Sequence, residues 1–197
     1  MKPVVVRALA RGLLAGFSLA LGACALGPAH RAATGPAPDP SALTRDFDIV
    51  GRISAKRSSE AYAGTLRWRH DARSDDIEFG SPFGQIQARL HGGPDGARVE
   101  TADGRVIAAA DWAALAQNAG SWALPVDGMK SWLLGLPHAG SAYAWEATGF
   151  DPPSILRQDG WTISYLGTVT VAGAQRPSRL SLGDGVADIR IVIDAWQ

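Results

Sequence analysis

Cys24 is the single thiol in 197 residues, and it stands directly after Leu21-Gly22-Ala23, a small-residue stretch of the kind at which exported precursors are cut. A lone cysteine cannot form an intramolecular disulfide, so its chemistry is that of a nucleophilic sulfur able to carry a covalent group. The four histidines, at positions 30, 70, 91 and 138, lack the paired spacing that holds a metal ion and read as surface imidazoles. No Gly-x-Ser-x-Gly elbow and no phosphate-cradling glycine loop occurs. Asp75 and Asp76 are adjacent, so on a strand they point to opposite faces and cannot share one acid–base site; they read as solvated loop charge. Nothing in the sequence argues for catalysis, and neither a cofactor nor a metal is expected.

A second kind of chemistry is apolar. The segment Ser81-Pro82-Phe83-Gly84-Gln85 joins two strand patterns and places a large aromatic between proline and glycine at the turn. Phe83 either folds back as a plug over the sheet end or stands exposed, where it can dip into lipid or dock on a partner.

Around Cys24 the context is that of export. Lys2, Arg7 and Arg11 precede an apolar run from Gly12 to Leu21, a charged region followed by a hydrophobic one. That run is much shorter than the ~20 apolar residues needed to cross a hydrocarbon core. Residues 1–23 are therefore expected to be a signal peptide, with the cysteine at the cleavage point forming a lipobox; the alternative is an ordinary secretory signal with a fortuitous cysteine. The pattern resembles that of bacterial lipoproteins, which implies a diacylglyceryl group on the Cys24 sulfur and an acyl group on its nitrogen. At about 0.8 kcal/mol per buried methylene, such an anchor is permanent. Ala25, the next residue, is compatible with sorting to the outer membrane. Residues 24–40, with Gly27-Pro28, Gly35-Pro36 and Pro38-Asp39-Pro40, carry almost no large apolar side chains and read as a lipidated N-terminus and flexible tether.

Composition narrows the partners. The chain has 19 basic and 19 acidic residues, and loss of the signal removes three basic ones and no acidic ones, leaving a net charge near −3. The arginines are scattered among strand patterns without forming a basic face, which sets nucleic-acid binding aside. The remaining length suits one domain, 41–197, and 7 Trp with many branched aliphatics can fill a sizeable core.

The elements that must position Phe83 and the tryptophans are mostly strands. Phe47, Ile49, Gly51, Ile53 and Ala55 alternate with Asp48, Arg52, Ser54 and Lys56, and Tyr62, Gly64, Leu66 and Trp68 alternate with Thr65, Arg67 and Arg69. Ile77 with Phe79, then Ile86, Ala88 and Leu90, then Ala97 with Val99 continue a meander, with Asp95-Gly96 and Asp103-Gly104 as turns. Helical spacing takes over from Asp111 to Asn118 and from Pro125 to Leu134, the latter ended by Gly135 and Pro137. Strands resume at Tyr143, Trp145 and Ala147, at Trp161, Ile163 and Tyr165, at Leu180 and Leu182, and at Ile189 through Ala195. About eleven strands against two or three helices predict a mainly β domain, a strongly curved antiparallel sheet with helices on one face. Such a sheet either fills its interior or leaves a cavity for an apolar ligand, and periodicity does not choose between the two.

Several phrases, in order, resemble those of the LolB family. They are the lipobox at Cys24, the strand Phe47 to Ile53 with Gly51-Arg52, Tyr62-Ala63-Gly64-Thr65-Leu66-Arg67-Trp68, Ser81-Pro82-Phe83-Gly84-Gln85, and Leu124-Pro125-Val126 followed by Trp132-Leu133-Leu134-Gly135-Leu136-Pro137. The resemblance implies an unclosed half-barrel of eleven antiparallel strands, with helices covering a hydrophobic cavity for acyl chains. It implies a periplasm-facing, outer-membrane-anchored receptor that takes client lipoproteins from the soluble carrier LolA and inserts them into the inner leaflet. Carried onto this chain, the cavity would be lined by Phe47, Ile49, Leu66, Trp68, Ile86, Trp132 and Leu133, with Trp145 and Ile163 added. The family's protruding apolar loop matches Pro82, Phe83 and Gly84, with Phe83 where Leu is more familiar. A monomer is expected. The competing functions are a structural or assembly lipoprotein with a solid core, and a carrier of some other lipid.

Overall fold

The computed structural model describes residues 45–118, 124–146 and 154–197. The expected signal segment, Cys24, His30 and the tether lie outside the described residues.

Eleven strands make one antiparallel sheet. In chain order they are β1 (Phe47–Arg57), β2 (Glu60–His70), β3 (Asp75–Gly80), β4 (Ile86–Gly93), β5 (Gly96–Thr101) and β6 (Val106–Ala109), then β7 (Tyr143–Glu146), β8 (Ile155–Gln158), β9 (Trp161–Val171), β10 (Ala174–Gly183) and β11 (Ala187–Trp196). Helices α1 (Trp112–Asn118) and α2 (Val126–Leu133) lie between β6 and β7 in the chain. The spatial order is β6-β5-β4-β3-β2-β1-β11-β10-β9-β8-β7, so the first and last strands meet in the middle and β6 and β7 are free edges. The sheet is unclosed. Its edges are joined by the segment that carries both helices, which must cross the open side.

Alternation decides which face is inside. Phe47, Ile49, Ile53 and Ala55 of β1 are buried, as are Leu66 and Trp68 of β2, and the register sets Ile49 opposite Trp68. Their neighbours Asp48, Arg67 and Arg69 form ion pairs on the other face, Asp48 with Arg67 at 3.0 Å and with Arg69 at 3.3 Å. Exposed pairs of this kind contribute about 0–1 kcal/mol, so burial of the inner face dominates.

One strand breaks its own alternation. Simple period two puts Ile86 inward with Ala88 and Leu90, but the β3–β4 register shifts between Phe79 and Gly80, with Phe79 opposite Ala88 and Gly80 opposite Ile86. The extra residue is a bulge, and a one-residue slip moves a side chain to the opposite face. Ile86 accordingly lies on the outer side, 37 % exposed.

The helices are fixed by local chemistry. Asp111 caps α1 by accepting the Ala114 backbone N–H on Oδ1 at 2.7 Å. Helix α2 ends in a Schellman turn, in which the Leu136 N–H reaches the Ser131 carbonyl and the Gly135 N–H reaches the Trp132 carbonyl, both at 3.0 Å, with Gly135 at φ 78°. Two glycines seat the helix tryptophans. A Cβ on Gly92 of β4 would overlap the Trp112 ring, and one on Gly128 would lie 2.5 Å from the Trp132 ring one turn further along α2. These missing side chains let both indoles pack flat where any larger residue would push them away.

Candidate functional site: a cavity beneath the helices

Helix α2 fills only part of the sheet's concave side. Its Met129, Trp132 and Leu133 are buried in one continuous core that includes Leu156, Ile163, Leu180 and Leu182 from the β8 to β10 half. Trp132 is held there by polar contacts as well as packing. Its indole Nε1 donates to Gln158 Oε1 at 3.0 Å, and the same oxygen accepts the His138 N–H at 2.7 Å. The Gln158 amide donates in turn to the His138 and Ser141 carbonyls, which leaves this buried side chain well satisfied. Tyr165 donates its hydroxyl to the Trp132 carbonyl at 3.1 Å, and burial pushes its phenol well above the ordinary range.

Over the β1 to β6 half there is empty space instead. A cavity of about 500 Å³ is bounded by Ile53 and Ala55 of β1, Tyr62 of β2, Phe79 of β3, Ala88 and Leu90 of β4, Val99 of β5 and Ile107 of β6. Trp112, Leu115 and Ala116 of α1 roof it, with Leu124 and Val126 at the start of α2. Tyr62 is oriented by its hydroxyl, which donates to the Gly80 carbonyl at 2.7 Å, and its ring meets Phe79 edge-on at 6.1 Å. The remaining side chains of the wall include Gln87, Thr101 and Arg105, at the ends of β4, β5 and the β5–β6 turn. A partly open apolar cleft with a few polar groups at one end is the form a small-molecule site takes.

That polar end faces the same way as the loop 81–85. The loop is stapled to itself: Ser81 Oγ accepts the N–H groups of Phe83 and Gln85 at 3.3 and 3.2 Å, while the Ser81 N–H bonds the Gln85 carbonyl at 2.7 Å. Gly84 takes φ 84°, which turns the chain back into β4. Phe83, held at the tip, is 93 % exposed, so it is not a plug over the sheet end.

The nine residues expected to line an acyl site lie as follows. Phe47, Ile49, Leu66, Trp68, Trp132, Leu133 and Ile163 are buried in the packed core, Ile86 is on the outer face, and Trp145 is half-buried against Tyr165 with ring centres 5.7 Å apart. None of them is among the residues bounding the cavity. The reason is steric. The largest inward side chains are those that fill space, and space remains where inward positions hold small ones such as Ala55 and Ala88.

The carboxylate pair also needs revision. Asp75 and Asp76 do face opposite ways, but Asp75 is buried, not solvated. It accepts from Trp68 Nε1 at 3.0 Å, contacts His70 Nδ1 at 2.8 Å and lies 3.4 Å from Lys130 Nζ. Lys130 also pairs with Asp127 of its own helix at 2.9 Å, and its contact with Asp75 ties α2 to the sheet through charge. Burial alone pushes Asp75 upward, but the hydrogen bonds from His70 and Trp68 and the Lys130 charge outweigh it and hold the carboxyl below its usual range. Burial lowers Lys130, and its bonds to Asp127 and the Asp75 charge more than reverse that. His70 is thus a half-buried structural partner, not a surface imidazole.

Comparison with known proteins places this architecture. A family model described as outer membrane lipoprotein LolB matches residues 45–196. An outer-membrane lipoprotein LolB of Thiobacillus denitrificans is 32 % identical over 186 residues, covering 94 % of this chain and 96 % of its own. One from Azoarcus sp. is 32 % identical over 155 residues, covering 79 % and 80 %. Among solved structures, a LolA superfamily protein from Nitrosomonas europaea superposes with a TM-score of 0.42 at 9 % identity, over 78 % of this chain and 86 % of that one. With the family match running across all the described elements, the chain belongs to the LolB family of outer membrane lipoproteins.

Proposed function

We propose that this protein receives lipoproteins from the soluble periplasmic carrier LolA and delivers them to the inner leaflet of the outer membrane. The observation that carries the reading is the meeting, at one end of the sheet, of the polar end of an apolar cavity and an exposed aromatic on a stapled loop. The cavity shelters acyl chains from water during the handover. Phe83 partitions into lipid at the moment of delivery, with about 1.5–3 kcal/mol available from full burial of such a side chain. The seven core residues from Phe47 to Ile163 act as the rigid packing that keeps the cavity wall in shape.

Lipidated Cys24 holds the domain at the membrane, and residues 25–40, fully extended, reach about 50 Å, enough for the domain to meet a carrier in the periplasm. The protein is a binding partner, not a catalyst. Cargo moves because its affinity rises from carrier to receptor to bilayer, and no nucleotide is consumed. The test is transfer of an acylated lipoprotein from loaded carrier to liposomes bearing this protein. Transfer without nucleotide is the expected result; folded protein that neither accepts nor passes cargo contradicts the reading and points to another lipid or a structural role.

A further inference from the structure

The polar end of the cavity is a small, charge-balanced constellation. Asp103 in the β5–β6 turn takes the Thr101 hydroxyl on Oδ1 and Arg105 Nε on Oδ2, the latter at 2.8 Å. Arg105 makes no other side-chain hydrogen bond among the described residues, so both terminal nitrogens keep their donors available. Its side chain is 73 % exposed, which puts the guanidinium at the cavity's edge and not deep in its wall. Gln87, also on the cavity wall, is fixed through its backbone carbonyl, which accepts the Ala102 N–H at 2.8 Å.

The wall of this cavity of about 500 Å³ is largely apolar, as an acyl chain requires. Taking the cavity as the acyl site proposed above, we infer that it holds an acyl chain with its carbonyl end outward, and that Arg105 and Gln87 recognise that carbonyl as an uncharged ester or amide. An isolated arginine would favour a carboxylate through a bidentate, charge-assisted pair. Here Asp103 already pairs with the guanidinium, so a second carboxylate would sit beside a like charge, while a neutral carbonyl needs only the spare N–H donors. The site therefore selects acyl esters and amides over free fatty acids.

The test uses the full chain kept unlipidated by Cys24→Ala, with displacement of a neutral hydrophobic fluorophore by methyl dodecanoate, dodecanoate at pH 8, and dodecane. The parent should bind the ester about tenfold more tightly than the carboxylate. Arg105→Leu should weaken ester binding about tenfold and leave dodecane unchanged, the loss expected for one charge-assisted hydrogen bond. Asp103→Asn, which frees the arginine's charge, should raise dodecanoate affinity about tenfold, a gain that misfolding cannot imitate. Equal binding of ester and carboxylate, or an Asp103→Asn variant without that gain, overturns the inference and leaves the cavity reading standing. Failure of the parent to bind any of the three chains overturns both.

Discussion

The indole of Trp132 on α2 and the side-chain amide of Gln158 on β8 are joined by a 3.0 Å hydrogen bond, buried where the covering helix meets the strand next to the sheet's β7 edge. That contact fixes the solid half of the concave face: held by Gln158, Trp132 fills the space against β8 to β10, whereas Trp112 of α1 lies against Gly92 and forms part of the roof over the open half.

Replacing Gln158 with Leu should therefore be costly despite similar size. It strands the Trp132 N–H and both polar groups of the His138 backbone, and a buried polar group left without a partner costs about 1–3 kcal/mol. Urea unfolding is expected to show a loss of about 2–4 kcal/mol, and a loss under about 1 kcal/mol would mean that packing alone positions the helix.

Filling the cavity should separate binding from stability. Ala88→Leu adds three carbons to the cavity wall without creating a buried polar group. Thermal stability is expected to stay within about 1 kcal/mol of the parent or rise, since the added carbons occupy a void. Binding of a long-chain acyl ligand, followed by displacement of a hydrophobic fluorophore, should fall at least tenfold. Unchanged binding would place the acyl site outside this cavity.

The Asp75 cluster sets the pH range of stability. Because the folded carboxyl lies below its unfolded value, its contribution is complete above the unfolded pKa of about 3.9 and is lost as pH falls through the lower folded value. Lys130 is raised, so its contribution is complete below about 10.4 and is lost as pH rises through the higher folded value. Urea midpoints from these two groups should be level between about pH 5 and 9. Asp75→Asn should lower that plateau by about 1–3 kcal/mol, because it removes the buried charge facing Lys130 and leaves that lysine with Asp127 alone, and should make the acid limb shallower. A variant with the parent's acid limb would assign that limb to other carboxylates.

The sequence made the strands legible because period two with Asp-Gly turns is a local signal, and the inward faces of β1 and β2 follow directly from it. Ile86 was not legible, because the bulge between Phe79 and Gly80 depends on pairing with another strand. The wall of the cavity is not legible for a different reason: a void is defined by what neighbouring elements fail to fill. Alanines at inward positions, Ala55 and Ala88, were the available signal. The burial of Asp75 and the role of Gln158 are not legible because the partners that satisfy them, Lys130 and Trp132, lie 55 and 26 residues away in the chain. Phe83 was singled out by its position between Pro82 and Gly84, and only the structure distinguishes a plug from an exposed tip.

The central claim is that capture and insertion are carried out by different parts of the molecule, cavity and loop. Phe83 lies at an exposed tip, so Phe83→Glu should leave unfolding stability within about 0.5 kcal/mol of the parent. The direct measurement is transfer from loaded carrier to liposomes bearing this variant, with cargo held by the receptor counted separately from cargo embedded in the bilayer. The account predicts that the variant accepts cargo at the parent's level and inserts it at least tenfold more slowly. Insertion at the parent's rate, or acceptance lost together with insertion, would contradict it.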